Sequence, residues 1–179
     1  MSKALVSFVF LNALLALKAF SQSDCKAPNV QDQVLPPLVY QTTDYTCGPA
    51  SALSLLQSWG IKNQNEMALA KVLGTTVKDG TLPKDFIKGF KDLKIKAEYL
   101  EKIDLKKLKA LFEQKLGLIA LVDSEGDHWV LIVSFDDKKI TTMDPWPDKC
   151  GYTTYTYSEF NKVWHGKIGD QAVVVITKP

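Results

Sequence analysis

The residue pattern points to an α+β fold, with helices in the first half of the chain and antiparallel strands in the second. Three observations carry this reading. Apolar residues recur at helical spacing between Ala52 and Leu116, broken by one short alternating stretch. From Leu118 onward the apolar runs are short, rich in β-branched residues and separated by turn signals. No linker divides the halves, so 179 residues at 46% apolar and 23% charged content form one domain with two lobes.

The first helix is expected over about residues 50–59. Ala52, Leu55, Leu56 and Trp59 share one face, Pro49 suits a first helical position, and Gly60 is the stop. Asn63 lies three residues before Glu66 and predicts a capping-box start for a second helix ending at Gly74. A third helix begins near Thr81, with Leu82, Phe86, Phe90 and Leu93 as its stripe. Ile95, Ala97 and Tyr99 alternate as in a strand. Asp104 caps a fourth helix that carries Leu105, Leu108, Leu111, Phe112 and Leu116. Strands are expected at Leu118–Val122, Trp129–Phe135, Ile140–Met143, Tyr152–Tyr157 and Ala172–Thr177, and Ser158 as the cap of a short helix running to Trp164.

Residues 1–21 have the layout of an export signal: Lys3, an apolar run from Ala4 to Leu17 interrupted at Ser7 and Asn12, and small residues at Ala19 and Ser21. That run is shorter than the ~20 residues needed to span a bilayer. A periplasmic or secreted protein is therefore expected, with an N-terminal arm over 22–35 and the domain proper over 36–179. Cleavage takes two of the 22 basic residues and none of the 20 acids, which leaves a mature net charge of about zero. Every basic residue is lysine. Neutral charge and the lack of arginine's planar fork argue against a nucleic-acid partner.

Three cysteines in an oxidising compartment leave one unpaired. A Cys25–Cys150 disulfide would staple the arm to the body and leave Cys47 free. Cys47 sits in the polar run Tyr40–Ala50, YQTTDYTCGPA, at the mouth of the first helix. A thiol attacks as thiolate, and both a helix N-terminus and a nearby imidazole favour that form. Gly48 removes side-chain bulk where a substrate carbonyl would approach.

Of the two histidines, His165 reads as a surface residue, whereas His128 opens the strongly apolar strand HWVLIVSF. A hairpin turning near Asp136 and Asp137 pairs residues equidistant from the turn. This brings Asp144 beside His128, to within one residue of register, where its carboxylate would orient the ring. Gln41, together with the Cys47 N–H, would supply donors to an oxyanion. Zinc sites take closely spaced ligand pairs, and no cysteine or histidine pair here has that spacing, so neither metal nor other cofactor is expected.

Gln41, five residues and then Cys47-Gly48-Pro49-Ala50, followed by His128-Trp129-Val130 and Asp144-Pro145, resemble the bacteriocin-processing, double-glycine-leader cysteine peptidases. The resemblance spans residues 36–177. It implies a papain-like α+β fold, in which an N-terminal helical lobe carrying the nucleophile helix packs on an antiparallel sheet lobe. It also implies roles: Cys47 as nucleophile, His128 as general base and acid, Asp144 as the orienting acid and Gln41 as the oxyanion donor. The best-known members form the N-terminal domain of an export transporter. This sequence shows an export signal and no transporter segments, which suggests a stand-alone exported monomer acting on a peptide, a peptidoglycan stem or a protein. Two other functions share these residues: a non-catalytic peptide-binding module, and an acyl or peptidyl transferase that replaces water with an amine. The cleft walls are expected from the 40–46 loop and the loops near 76–82 and 123–128.

Overall fold

A computed structural model of the chain describes residues 35–179; the expected signal segment and Cys25 lie outside the described residues. Helix α1 (Cys47–Ser58) is followed by α2 (Glu66–Val72), α3 (Pro83–Asp92), β1 (Ala97–Leu100) and α4 (Leu105–Glu113). Then come β2 (Gly117–Asp123), β3 (Asp127–Phe135), β4 (Lys139–Met143), a 3₁₀ turn (Pro147–Lys149) and β5 (Tyr152–Thr156). Helix α5 (Tyr157–Val163), the short pair β6 (His165–Gly166) and β7 (Gly169–Asp170), and β8 (Val173–Ile176) complete the described chain. The main sheet has six strands in the order β1-β8-β2-β3-β4-β5, and every pair is antiparallel. This is the expected α+β arrangement, and among the described residues no helix is long and apolar enough to cross a membrane.

The central strands carry near-continuous apolar runs because helices cover both faces of the sheet. Ile119, Leu121, Trp129 and Leu131 pack with Leu55, Leu56, Leu69, Phe86 and Phe90 from α1 to α3. Leu118, Ala120, Val122, Val130 and Ile132 pack with Leu108, Leu111 and Phe160 from α4 and α5. Strand alternation thus feeds two cores from one sheet. Each large side chain so buried contributes roughly 1.5–3 kcal/mol.

Local expectations needed four adjustments. Helix α1 starts at Cys47 rather than near residue 50, so the thiol is on its first turn. Asn65, not Asn63, caps α2, accepting from the Ala68 N–H. Thr156, not Ser158, caps α5 and forms a full capping box with Glu159. In both cases a rival polar residue stands two positions away, and the backbone path decides which side chain meets a first-turn N–H. Asp104 caps α4 as expected.

The fourth adjustment concerns the β3–β4 hairpin. At the turn Phe135 pairs with Ile140 and Ser134 with Thr141, but further on Ile132 pairs with Thr142 and Leu131 with Met143. Val133 is therefore an extra residue, a β-bulge. Had the register at the turn run on, Asp144 would fall opposite Leu131, on the face away from His128. With the bulge it falls beyond Met143, opposite Val130, on the same face as His128. The two are diagonal neighbours rather than directly opposed, and the bulge is what brings them together.

Candidate active site

One tether locks the thiol-bearing helix to the strand of His128, and a second locks that strand to the loop before α3. One turn into α1, Ser51 donates its hydroxyl to the Trp129 carbonyl at 2.9 Å, although both residues are buried. The Trp129 indole donates to the Thr81 carbonyl at 2.9 Å and meets the Phe86 ring edge-on at 5.0 Å. Gly48 completes the fit. A Cβ there would stand 2.7 Å from Thr81 Oγ1 and 2.9 Å from Phe86 Cζ. Its missing side chain thus admits the start of α3, a packing reason rather than the substrate clearance expected from the sequence.

Thr46, the residue before Cys47, does not cap α1. Its hydroxyl turns back to Thr43, bonding the Thr43 hydroxyl at 2.9 Å and carbonyl at 3.2 Å. The first-turn N–H groups of α1 are left without a side-chain acceptor, and no acidic residue occupies that turn. Such a helix end stabilises a negative charge placed on it.

His128 is 6% exposed and Asp144 5%. The His128 Nε2 and Asp144 Oδ1 are 2.7 Å apart, and the same oxygen accepts the Trp146 N–H at 2.9 Å. The remaining ring nitrogen is Nδ1, and Cys47 lines the same cleft as the ring. Burial by itself would push the ring below its usual 6.5. The hydrogen bonds and charges of Asp144 and Cys47 outweigh it and hold the imidazole up to about 9. Trp146 stands edge-on to the ring at 6.3 Å.

Gln41 is buried, and both sides of its backbone are tied. Its own N–H donates to the Pro145 carbonyl at 2.8 Å, and the Thr42 N–H donates to Glu66 Oε1 at 2.9 Å. Its side-chain Nε2 donates to the Thr43 carbonyl at 2.8 Å. One amide hydrogen uses that bond, and a second remains. His165, as expected, is an exposed residue, its Nε2 lying 2.8 Å from the Lys162 carbonyl.

Cys47 and His128 open onto a cleft of about 520 Å³. Asp44 and residues 124–127 form walls anticipated from the sequence. The 76–82 loop does not line it; Thr81 is buried and holds Trp129. Its place is taken by Trp146, Asp148 and Lys149, which follow directly on Asp144. The clue available in the sequence was Asp144-Pro145, since a proline cannot continue the ladder and the chain leaves the strand there, next to the residue that meets His128.

The peptidase C39 family profile matches residues 36–169. An uncharacterised protein of Methanothermobacter thermautotrophicus is 27% identical over 143 residues, 79% of this chain and 89% of that one. Among solved structures, the peptidase domain of Streptococcus ComA, a bi-functional ABC transporter involved in a quorum-sensing pathway, is similar with a TM-score of 0.63. That match has 19% identity and covers 79% of this chain and 98% of that one. A double-glycine-motif protease from an AMS/PCAT transporter, solved with its leader peptide, gives a TM-score of 0.66 at 18% identity, over 84% and 96% of the two chains. These likenesses establish the papain-like fold. With the profile spanning most of the described residues, the chain belongs to the peptidase C39 family and is a papain-like cysteine peptidase.

Proposed function

We propose that the protein is an exported peptidase that cleaves a peptide or amide bond through a thioester on Cys47, with His128, Asp144 and Gln41 as its partners. The observation that supports this reading best is the buried His128–Asp144 pair, 2.7 Å from Nε2 to Oδ1, with Cys47 and His128 lining one open cleft. An imidazole held up to about 9 stays protonated at neutral pH and has a proton to give to a leaving nitrogen.

The steps follow from those contacts. The Cys47 sulfur attacks the substrate carbonyl carbon, and the carbonyl oxygen becomes an oxyanion. The Cys47 N–H at the helix end and the remaining Gln41 amide hydrogen receive it. His128 gives its proton to the leaving nitrogen, the C–N bond breaks, and an amine departs from the thioester. The now neutral ring takes a proton from water, whose oxygen attacks the thioester. Collapse releases the acid and returns the sulfur to its starting state. Asp144 keeps Nε2 occupied throughout, so that Nδ1 always faces the sulfur.

The substrate is a peptide or protein, a reading supported by the family and by the leader-peptide complex of a relative. Export rests on the signal-like residues 1–21 and goes with a Cys25–Cys150 disulfide that spares Cys47, which is a free thiol. The test compares N-termini in the extracellular and periplasmic fractions of cells making the wild type or Cys47→Ala. New N-termini present only with the wild type support the reading; a Cys47→Ala protein that still cuts refutes it. Non-reducing peptide mapping that places Cys47 in a disulfide would refute the spared thiol.

A further inference from the structure

Glu66 is a buried acidic side chain that takes no part in the steps above. It occupies the first position of α2 at 8% exposure, and among the described residues no lysine or histidine pairs with it. Its Oε1 accepts the Thr42 N–H at 2.9 Å, across 24 residues of sequence. Thr42 directly follows Gln41. On the other side, the Gln41 N–H is held by the carbonyl of Pro145, the neighbour of Asp144. The peptide is thus pinned on both flanks of Gln41, once to the strand that ends in the orienting acid and once to α2.

The side chain of Gln41 has little else to fix it. Its Nε2 makes one bond, to Thr43, and its Oε1 is buried with no partner among the described residues. The direction of the free amide hydrogen is therefore set by the backbone that carries the side chain. A donor to an oxyanion works only within a few tenths of an ångström of its productive position. A buried carboxyl group that holds one backbone N–H beside such a donor has a geometric task.

We propose that Glu66 is a positioning residue: through Thr42 it sets the backbone from which Gln41 presents its amide to the oxyanion. This assignment rests on the reading of Gln41 as oxyanion donor. It makes a distinctive demand on substitutions. Reach matters more than charge, because an amide oxygen at the same distance still accepts the uncharged N–H, though more weakly than a carboxylate. Glu66→Gln keeps an acceptor oxygen at the same distance. Glu66→Asp keeps the carboxyl group but is shorter by about 1.5 Å, which takes the acceptor out of hydrogen-bond range.

The test is a double-mutant cycle on full-length mature protein, with acetyl-Gly-Gly p-nitrophenyl ester as probe and thermal melting to confirm that each variant is folded. Glu66→Ala and Glu66→Asp should each lower kcat about tenfold with KM within about twofold, and Glu66→Gln should stay within about threefold of wild type. On a Gln41→Ala background the Glu66 substitutions should have no further effect on kcat. Equal losses on both backgrounds, an effect confined to KM, or a Glu66→Gln protein as slow as Glu66→Ala would overturn the assignment. Wild-type protein that shows no Cys47-dependent turnover would instead refute the peptidase mechanism, and the assignment with it.

Discussion

Raising the pH through the range 6.5 to about 9 should discharge His128, and the ring's contacts give the sign and order of magnitude of the effect. The ring is 6% exposed, so solvent screening takes little from the interaction. Its elevation from 6.5 to about 9 corresponds to roughly 3 kcal/mol in favour of the protonated, folded state, at about 1.4 kcal/mol per tenfold. Because the folded value lies above the unfolded one, the stabilisation is complete below about 6.5 and is lost as pH climbs through about 9. The direct assay is an NMR titration of the His128 ring proton, assigned against a His128→Gln protein. The expected midpoint is near 9, and Asp144→Ala should move it downward. Denaturant unfolding should show the His128 contribution falling by about 3 kcal/mol across the same window, with a smaller fall in Asp144→Ala. Turnover should decline on an alkaline limb at the NMR midpoint, since the leaving nitrogen needs the ring's proton. A His128 midpoint at or below 6.5 would refute the pairing of His128 with Asp144 beside Cys47.

Other consequences can be checked singly. Gly48→Ala should destabilise the protein by about 1–3 kcal/mol, because its Cβ would meet Thr81 and Phe86 inside contact distance; denaturant titration measures the loss. Ser51→Ala leaves the buried Trp129 carbonyl without its hydroxyl donor and should cost about 1–3 kcal/mol, with kcat falling more than KM rises as α1 loosens from β3. The cleft presents Asp44, Glu125, Asp127 and Asp148 against Lys149, and no ion pair among the described residues neutralises Asp44, Glu125 or Asp148. Lysine-flanked peptides should therefore have a higher kcat/KM than aspartate-flanked ones at low salt, with the gap closing by about 0.5 M salt. Equal rates at low salt would contradict this.

Sequence reasoning reached furthest where chemistry is tied to residue type. Cys47 at a helix mouth, His128 at the start of an apolar strand and Asp144 at the end of the next needed only spacing and periodicity to be singled out. The α+β order was equally legible, because helical and strand periods change sharply after Leu116. What escaped was set by contacts between distant segments. The bulge at Val133 has no local mark, since valine suits either register, and it emerges only when both faces of β3 must find their cores. Gly48 suggested room for substrate until Thr81 and Phe86 were seen against it. The tether from Ser51 to Trp129 joins residues 78 apart and could not be read from a serine on an apolar helix. The β6–β7 pair was missed because each strand has only two residues. Its Lys167 N–H donates to Asp127 at 2.5 Å, bracing the turn before His128.

The central claim is that Cys47 carries the acyl group during turnover. Rapid acid quenching during reaction with acetyl-Gly-Gly p-nitrophenyl ester, followed by peptide mass spectrometry, tests it most directly. The account predicts an acetyl-Gly-Gly adduct on the peptide containing Cys47, formed in step with p-nitrophenol release and absent from Cys47→Ala. Full turnover with an unmodified Cys47, or an adduct confined to another residue, would contradict it.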